Sequence, residues 1–137
     1  MSPLDVLLVE DNEGDAVLTI EALQEEGLCN QVKVVKDAYE ALEFLENKES
    51  FTPNLILLDL NLPKIGGKDL LKKIKTHPQF RSIPVFILST SSLIEDENFC
   101  MKAKADKYIV KPTDARDFSS LIAPVEELCN SNGFISN

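Results

Sequence analysis

Five short apolar runs, each parted from the next by a longer amphipathic stretch, constrain this chain more than any other feature. The runs cover residues 6–9, 32–35, 55–58, 85–88 and 108–110. Their length and nearly unbroken hydrophobicity suit strands covered on both faces. The stretches between them have helical spacing. Residues 16–26 carry Ile20 and Leu23; Ala38–Glu46 places Ala41, Leu42 and Leu45 on one face; residues 68–76 group Leu70, Leu71 and Ile74. Further helices are expected over 93–103 and 114–128. This alternation predicts an α/β fold of (βα)5 type, a doubly wound five-stranded parallel sheet with right-handed crossovers and helices on both faces. At 137 residues the chain is too short for an eight-unit barrel and suits one domain.

Start and stop signals agree with these helices. Asn12 is placed to cap the first, and Gly27 to end it. Asp37 with Glu40, and Ser92 with Glu95, have capping-box spacing, and Thr113 or Asp114 would cap the last helix. The expected domain covers residues 1–128. Residues 129–137 read as a short, poorly ordered polar tail, with no output domain.

Composition narrows the partners. Fourteen Lys and Arg stand against 23 Asp and Glu, a net charge of −9. Such a surface repels phosphate backbones and anionic lipid, so direct nucleic-acid or membrane binding is disfavoured. No apolar run approaches the ~20 residues that span a bilayer, and residues 1–4 lack the pattern of a signal peptide. Cys29, Cys100 and Cys129 are odd in number and lack metal-ligand spacing. They read as free thiols in a reducing cytoplasm.

Ligands of open α/β sheets bind beyond the C-terminal strand ends, at the switch in strand order. The polar residues expected there are Glu10 and Asp11 after the first strand, Asp59 after the third, Ser89 and Thr90 after the fourth, and Lys111 and Pro112 after the fifth. Carboxylates held about 4 Å apart repel by about 4 kcal/mol per pair at an effective dielectric of ~20. Protonation or a bound cation relieves this, and all-oxygen ligands favour a hard ion such as Mg²⁺. With Lys111 as a fixed positive charge, the site is preset for a phosphoryl group, and an Asp can be its nucleophile. The one histidine, His77, precedes Pro78 and reads as surface loop.

Val9-Glu10-Asp11-Asn12, Leu58-Asp59-Leu60-Asn61-Leu62-Pro63, Gly66-Gly67, Leu88-Ser89-Thr90 and Tyr108-Ile109-Val110-Lys111-Pro112 together resemble the receiver domain of two-component response regulators, the CheY-like family. The five motifs occur in order and span nearly the whole chain. The resemblance implies strand order 2-1-3-4-5. It also implies that Asp59 accepts a phosphoryl group from a sensor histidine kinase. Glu10, Asp11, Asp59 and the backbone carbonyl of Asn61 would then hold Mg²⁺. Ser89 and Lys111 would contact the phosphoryl oxygens, and Ser89 with Tyr108 would form a switch. Asn61, Thr90 and Ser91 would tune the lifetime of the phosphorylated state. A cis Lys111–Pro112 bond is a further implication.

The same resemblance implies an acceptor that assists its own phosphorylation and dephosphorylation rather than a turnover enzyme. Output would pass to a downstream protein, to a histidine phosphotransfer partner, or to a homodimer through the fourth helix, fifth strand and fifth helix. Phe99, Tyr108 and Phe118 are candidate anchors there. Residues 75–84 (KTHPQFRSIP) resemble stand-alone receivers that serve phytochrome-like kinases. Three other readings compete. A haloacid-dehalogenase-like phosphatase needs an Asp where Asn61 stands. An FMN module needs a phosphate-cradling loop where Glu10 and Asp11 would repel the ligand, and Gly14 alone makes none. A phosphorylation-independent scaffold would keep the fold without using Asp59.

Overall fold

The computed structural model describes residues 2–112 and 117–135. Its strands are β1 (Leu4–Val9), β2 (Cys29–Val35), β3 (Leu55–Asp59), β4 (Val85–Ser89) and β5 (Lys107–Val110). They form one parallel sheet in the order β2-β1-β3-β4-β5. The helices are α1 (Glu13–Glu25), α2 (Ala38–Glu46), α3 (Gly67–Thr76), α4 (Ile94–Lys102) and α5 (Ser119–Ile135). After β1 the chain adds β2 on one side and then β3 on the other. The order therefore reverses between β1 and β3, which opens a crevice at their C-terminal ends.

Alternation along the strands divides the core into two layers. Leu4, Val6 and Leu8 of β1 pack with Ala16 and Leu23 of α1 and with Leu121, Val125 and Cys129 of α5. Leu7 and Val9 face the other way, toward Ala38 and Ala41 of α2, Leu70, Leu71 and Ile74 of α3, and Cys100 of α4. Burial on both faces holds for β1, β3 and β4. It does not hold for the edges: β2 buries only Val35, and β5 only Ile109. Each edge strand has a single neighbour and lies at the margin of the helical layers.

Local signals account for most boundaries. Asn12 Oδ1 accepts the Asp15 N–H at 2.9 Å, and Asp37 Oδ1 accepts the Glu40 N–H at 2.8 Å. Gly27 has φ +67°, the left-handed turn that ends α1. The expected Ser92 cap is not formed. Leu93 occupies the cap position of α4 without a side-chain bond, and the Ser91 hydroxyl accepts the Leu93 N–H at 3.2 Å instead. Thr113 and Asp114 lie outside the described residues, and α5 begins later than expected, at Ser119, whose hydroxyl donates to Asp117 Oδ1 at 2.8 Å. That helix also continues past Leu128 to Ile135, because the buried stripe of Leu121 and Val125 extends to Cys129.

Gly67 has a steric reason. A Cβ there would lie 2.5 Å from Leu60 Cα and 2.6 Å from the Asp59 carbonyl oxygen. The Gly67 N–H donates to the Leu60 carbonyl at 3.0 Å, so the start of α3 lies directly against the loop that leaves β3.

Candidate functional site

Parallel register brings the strand ends into step. Val9 pairs with Leu58, Asp59 with Leu88, and Ser89 with Val110. Residues just past these pairs therefore meet at one rim. Carboxylate oxygens of Glu10, Asp11 and Asp59 all lie within 4.8 Å of one another. Glu10 and Asp59 are buried, at 1% and 4% exposure, while Asp11 is exposed. Glu10 Oε2 accepts the Asn12 N–H at 3.3 Å, and Asp59 Oδ1 accepts the Asn61 N–H at 2.9 Å. Burial, then the hydrogen bond with Asp59, pushes the Glu10 carboxyl up to about 7, although Lys111 acts in the opposite direction.

Lys111 is the counter-charge. Its Nζ donates to Glu10 Oε1 at 2.7 Å, Asp15 Oδ2 at 3.1 Å and Asp59 Oδ2 at 3.4 Å. Burial opposes its charge, but the hydrogen bond to Glu10 and the charges of Asp59 and Glu10 outweigh it and raise the ammonium above the ordinary lysine range. The Lys111 N–H donates to the Ser89 carbonyl at 2.6 Å, which carries the pairing of β4 and β5 as far as the site. The expected cis bond at Lys111–Pro112 is absent: no peptide bond among the described residues is cis. Trans is the intrinsically favoured isomer even before proline, by about 0.5–1 kcal/mol.

Ser89 is 1% exposed, and its Oγ accepts the Ser91 N–H at 3.0 Å. Ser91 is the hub of the β4–α4 loop. Its carbonyl accepts the Tyr108 hydroxyl at 2.8 Å, and its own hydroxyl donates to Asp96 Oδ2 at 2.5 Å. Asp96 also accepts Lys68 Nζ at 2.6 Å, so α3 and α4 are tied beneath this loop. The Lys68 and Ser91 hydrogen bonds hold the Asp96 carboxyl below the usual carboxylate range. Tyr108 is half-buried against the core layer of α2, α3 and α4.

The structure thus gathers Glu10, Asp11, Asp59 and Lys111 in one cluster, with Ser89 and Tyr108 joined to each other through Ser91. Asn61 and Thr90 are exposed at the same rim. Phe99 and Phe118 are not free surface anchors: each is half-buried, and they pack in opposite core layers. The apolar side chains exposed on α4, at its cap and on β5 are Leu93, Ile94, Met101 and Val110. His77, the C-cap of α3, is half-buried and stacks on Phe80 at 3.9 Å between ring centroids. Sequence reasoning missed Asp15, Asp96 and Lys68. An acidic residue in a first helical turn signals only helix-dipole complementarity, and nothing in a local window marks a partner 96 positions away. No helix among the described residues is long and apolar enough to cross a membrane.

Residues 6–123 match the family model of the response regulator receiver domain. The chain is 33% identical over 128 residues to response regulator Rcp1 of Synechocystis sp., covering 90% of this chain and 87% of that protein. It is 35% identical over 137 residues to the two-component response regulator ARR6 of Arabidopsis thaliana, covering 92% and 73%. Among solved structures, the phosphorylated cyanobacterial phytochrome response regulator RcpA superposes with a TM-score of 0.84 at 34% identity, covering 96% of both chains. The Mn²⁺-bound form of Rcp1 does so with a TM-score of 0.77 at 35% identity, covering 92% and 91%.

Proposed function

Because this chain belongs to the response regulator receiver domain family of two-component signalling, we propose that Asp59 is its phosphoryl acceptor, with a sensor histidine kinase as donor. The observation that carries this is the convergence of three carboxylates and Lys111 at the β1/β3 switch point.

The donor set fits a divalent cation. Among the described residues, three carboxylates with oxygens mutually within 4.8 Å face a single ammonium, so negative charge is in excess there, and every ligand is a hard oxygen. In this reading the ion is Mg²⁺, held by Glu10, Asp11, Asp59 and the backbone carbonyl of Asn61. When bound, it supplies the positive charge that lets an anionic phosphoryl group approach an ionised acid.

An Asp59 carboxylate oxygen attacks phosphorus in line. The O–P bond forms as the N–P bond of the kinase phosphohistidine breaks, and the electron pair of that bond returns to the imidazole. A general base is unnecessary, since a carboxylate nucleophile has no proton to give up on attack. Lys111 then donates to a phosphoryl oxygen. Ser89 receives the Ser91 N–H on its oxygen and so retains its own proton to donate to another. The same displacement with water regenerates Asp59 and releases phosphate. Movement of Ser89 shifts Ser91 and, through the Tyr108 hydroxyl, the surface of α4, β5 and α5.

The name of the similar cyanobacterial phytochrome response regulator RcpA favours a phytochrome-like kinase. Exposed Leu93, Ile94, Met101 and Val110 suit a homodimer or a downstream protein on the α4, β5 and α5 face. The net charge of −9 suits protein contacts in the cytoplasm rather than nucleic acid. The test is exposure to acetyl phosphate with and without Mg²⁺, with intact mass and oligomeric state read together. One phosphoryl group per chain, gained only with Mg²⁺ and lost in Asp59→Asn, is the expected result. A chain that stays unmodified, or a variant that still takes up label, overturns the assignment.

A further inference from the structure

The Lys111 ammonium has three N–H donors and, among the described residues, three carboxylate acceptors: Glu10 Oε1 at 2.7 Å, Asp15 Oδ2 at 3.1 Å and Asp59 Oδ2 at 3.4 Å. A fourth acceptor, a phosphoryl oxygen, can enter only if one of these bonds is given up. Their surroundings differ sharply. The Glu10 side chain is fully buried and that of Asp59 is 6% exposed, whereas that of Asp15 is 40% exposed. A carboxylate released from Lys111 regains water readily if it is exposed, whereas a buried one is left as an unpaired charge without water. Asp15 is therefore the partner that leaves most cheaply. It is nevertheless firmly placed: its N–H donates to the cap Asn12 at 2.9 Å, and its carbonyl accepts the Thr19 hydroxyl at 2.8 Å, so α1 holds this carboxylate over the site.

We propose that Asp15 is a positioning residue that tethers Lys111 while Asp59 is unmodified and releases it to the incoming phosphoryl group. This rests on the phospho-acceptor reading above and adds to it a control on its rate. The tether holds the ammonium away from the phosphoryl position, and breaking it is part of the barrier to phosphorylation. Among the described residues the Asp15 carboxylate bonds Lys111, and it acts through that ammonium.

The test compares Asp15→Asn with Glu13→Gln. The second removes an equal charge from the same helical turn, but Glu13 pairs with Lys36 and not with Lys111. With saturating Mg²⁺ and acetyl phosphate, Asp15→Asn is expected to be labelled about two- to fivefold faster than wild type, the discounted worth of a half-exposed ion pair. Glu13→Gln is expected to match wild type. A second readout needs neither metal nor phosphodonor: the Lys111 ammonium proton signal in ¹⁵N-resolved NMR should shift or broaden in Asp15→Asn and stay put in Glu13→Gln. Equal or slower labelling of Asp15→Asn, equal acceleration in both variants, or an unmoved ammonium signal each overturns the tether. Wild-type protein that takes up no label would instead overturn the phospho-acceptor reading itself.

Discussion

The Lys111 ammonium lies 2.7 Å from Glu10 Oε1, although 101 positions of chain separate the two residues. Strand order alone makes this possible: β1 and β5 lie on opposite sides of β3 and β4, and the long lysine side chain reaches back across the rim of the sheet. Among the described residues, one cation is left facing Glu10, Asp11, Asp15 and Asp59.

That imbalance predicts stabilisation by a divalent cation. Thermal unfolding in Mg²⁺ should occur at higher temperature than in chelator, by the equivalent of about 1.4 kcal/mol at ten times the dissociation constant. Asp11→Asn, a change at an exposed position, should weaken the effect without harming the fold. Scanning calorimetry across a Mg²⁺ series checks both.

Asp59→Asn should abolish phosphorylation by acetyl phosphate while raising stability in the absence of metal. It removes one carboxylate from a cluster in which burial and Asp59 already push Glu10 up to about 7. Intact mass spectrometry and urea unfolding give the two readouts. A less stable variant would show that Lys111 pairing outweighs the repulsion.

Gly67→Ala should cost about 1–3 kcal/mol or more, because the new methyl group meets backbone rather than a yielding side chain. The contact is with Leu60 and the Asp59 carbonyl, so acceptor geometry should suffer as well. Urea midpoints and phosphorylation rates should fall together.

Tyr108→Phe deletes the 2.8 Å bond to the Ser91 carbonyl and should cost about 1 kcal/mol. Labelling of Asp59 should be retained, while any phosphorylation-dependent change in self-association weakens. Sedimentation velocity before and after phosphorylation measures this, and an unchanged shift would remove Tyr108 from the switch.

Burial pushes the Cys100 thiol up to about 11, from an ordinary value of 9.0 in the unfolded chain. The folded state thus keeps its proton more tightly. The resulting stabilisation is complete below pH 9 and is lost as pH rises through about 11. Unfolding free energy should fall more steeply over this window in wild type than in Cys100→Ala. The slopes are the comparison, since the variant also loses packing.

What could be read from the chain alone is what short windows encode. Apolar runs and helical spacing mark the elements, and Asn12, Gly27 and Asp37 mark their ends, because propensity and capping act within a few residues. The strand-end carboxylates, Ser89 and Lys111 were legible for the same reason: a parallel strand delivers whatever follows it to one rim. Tertiary structure alone decided which of these groups touch. Register and strand order set the bonds of Lys111 to Glu10, Asp15 and Asp59, and packing of α3 against α4 set the Asp96–Lys68 tie. It also decided that β2 and β5 are half-exposed edges, that Ser91 rather than Ser92 serves the start of α4, and that α5 runs on to Ile135. Apart from the Ser91 cap, which is a choice between adjacent serines, these turn on distances between residues far apart in sequence, which the local pattern of side chains does not determine.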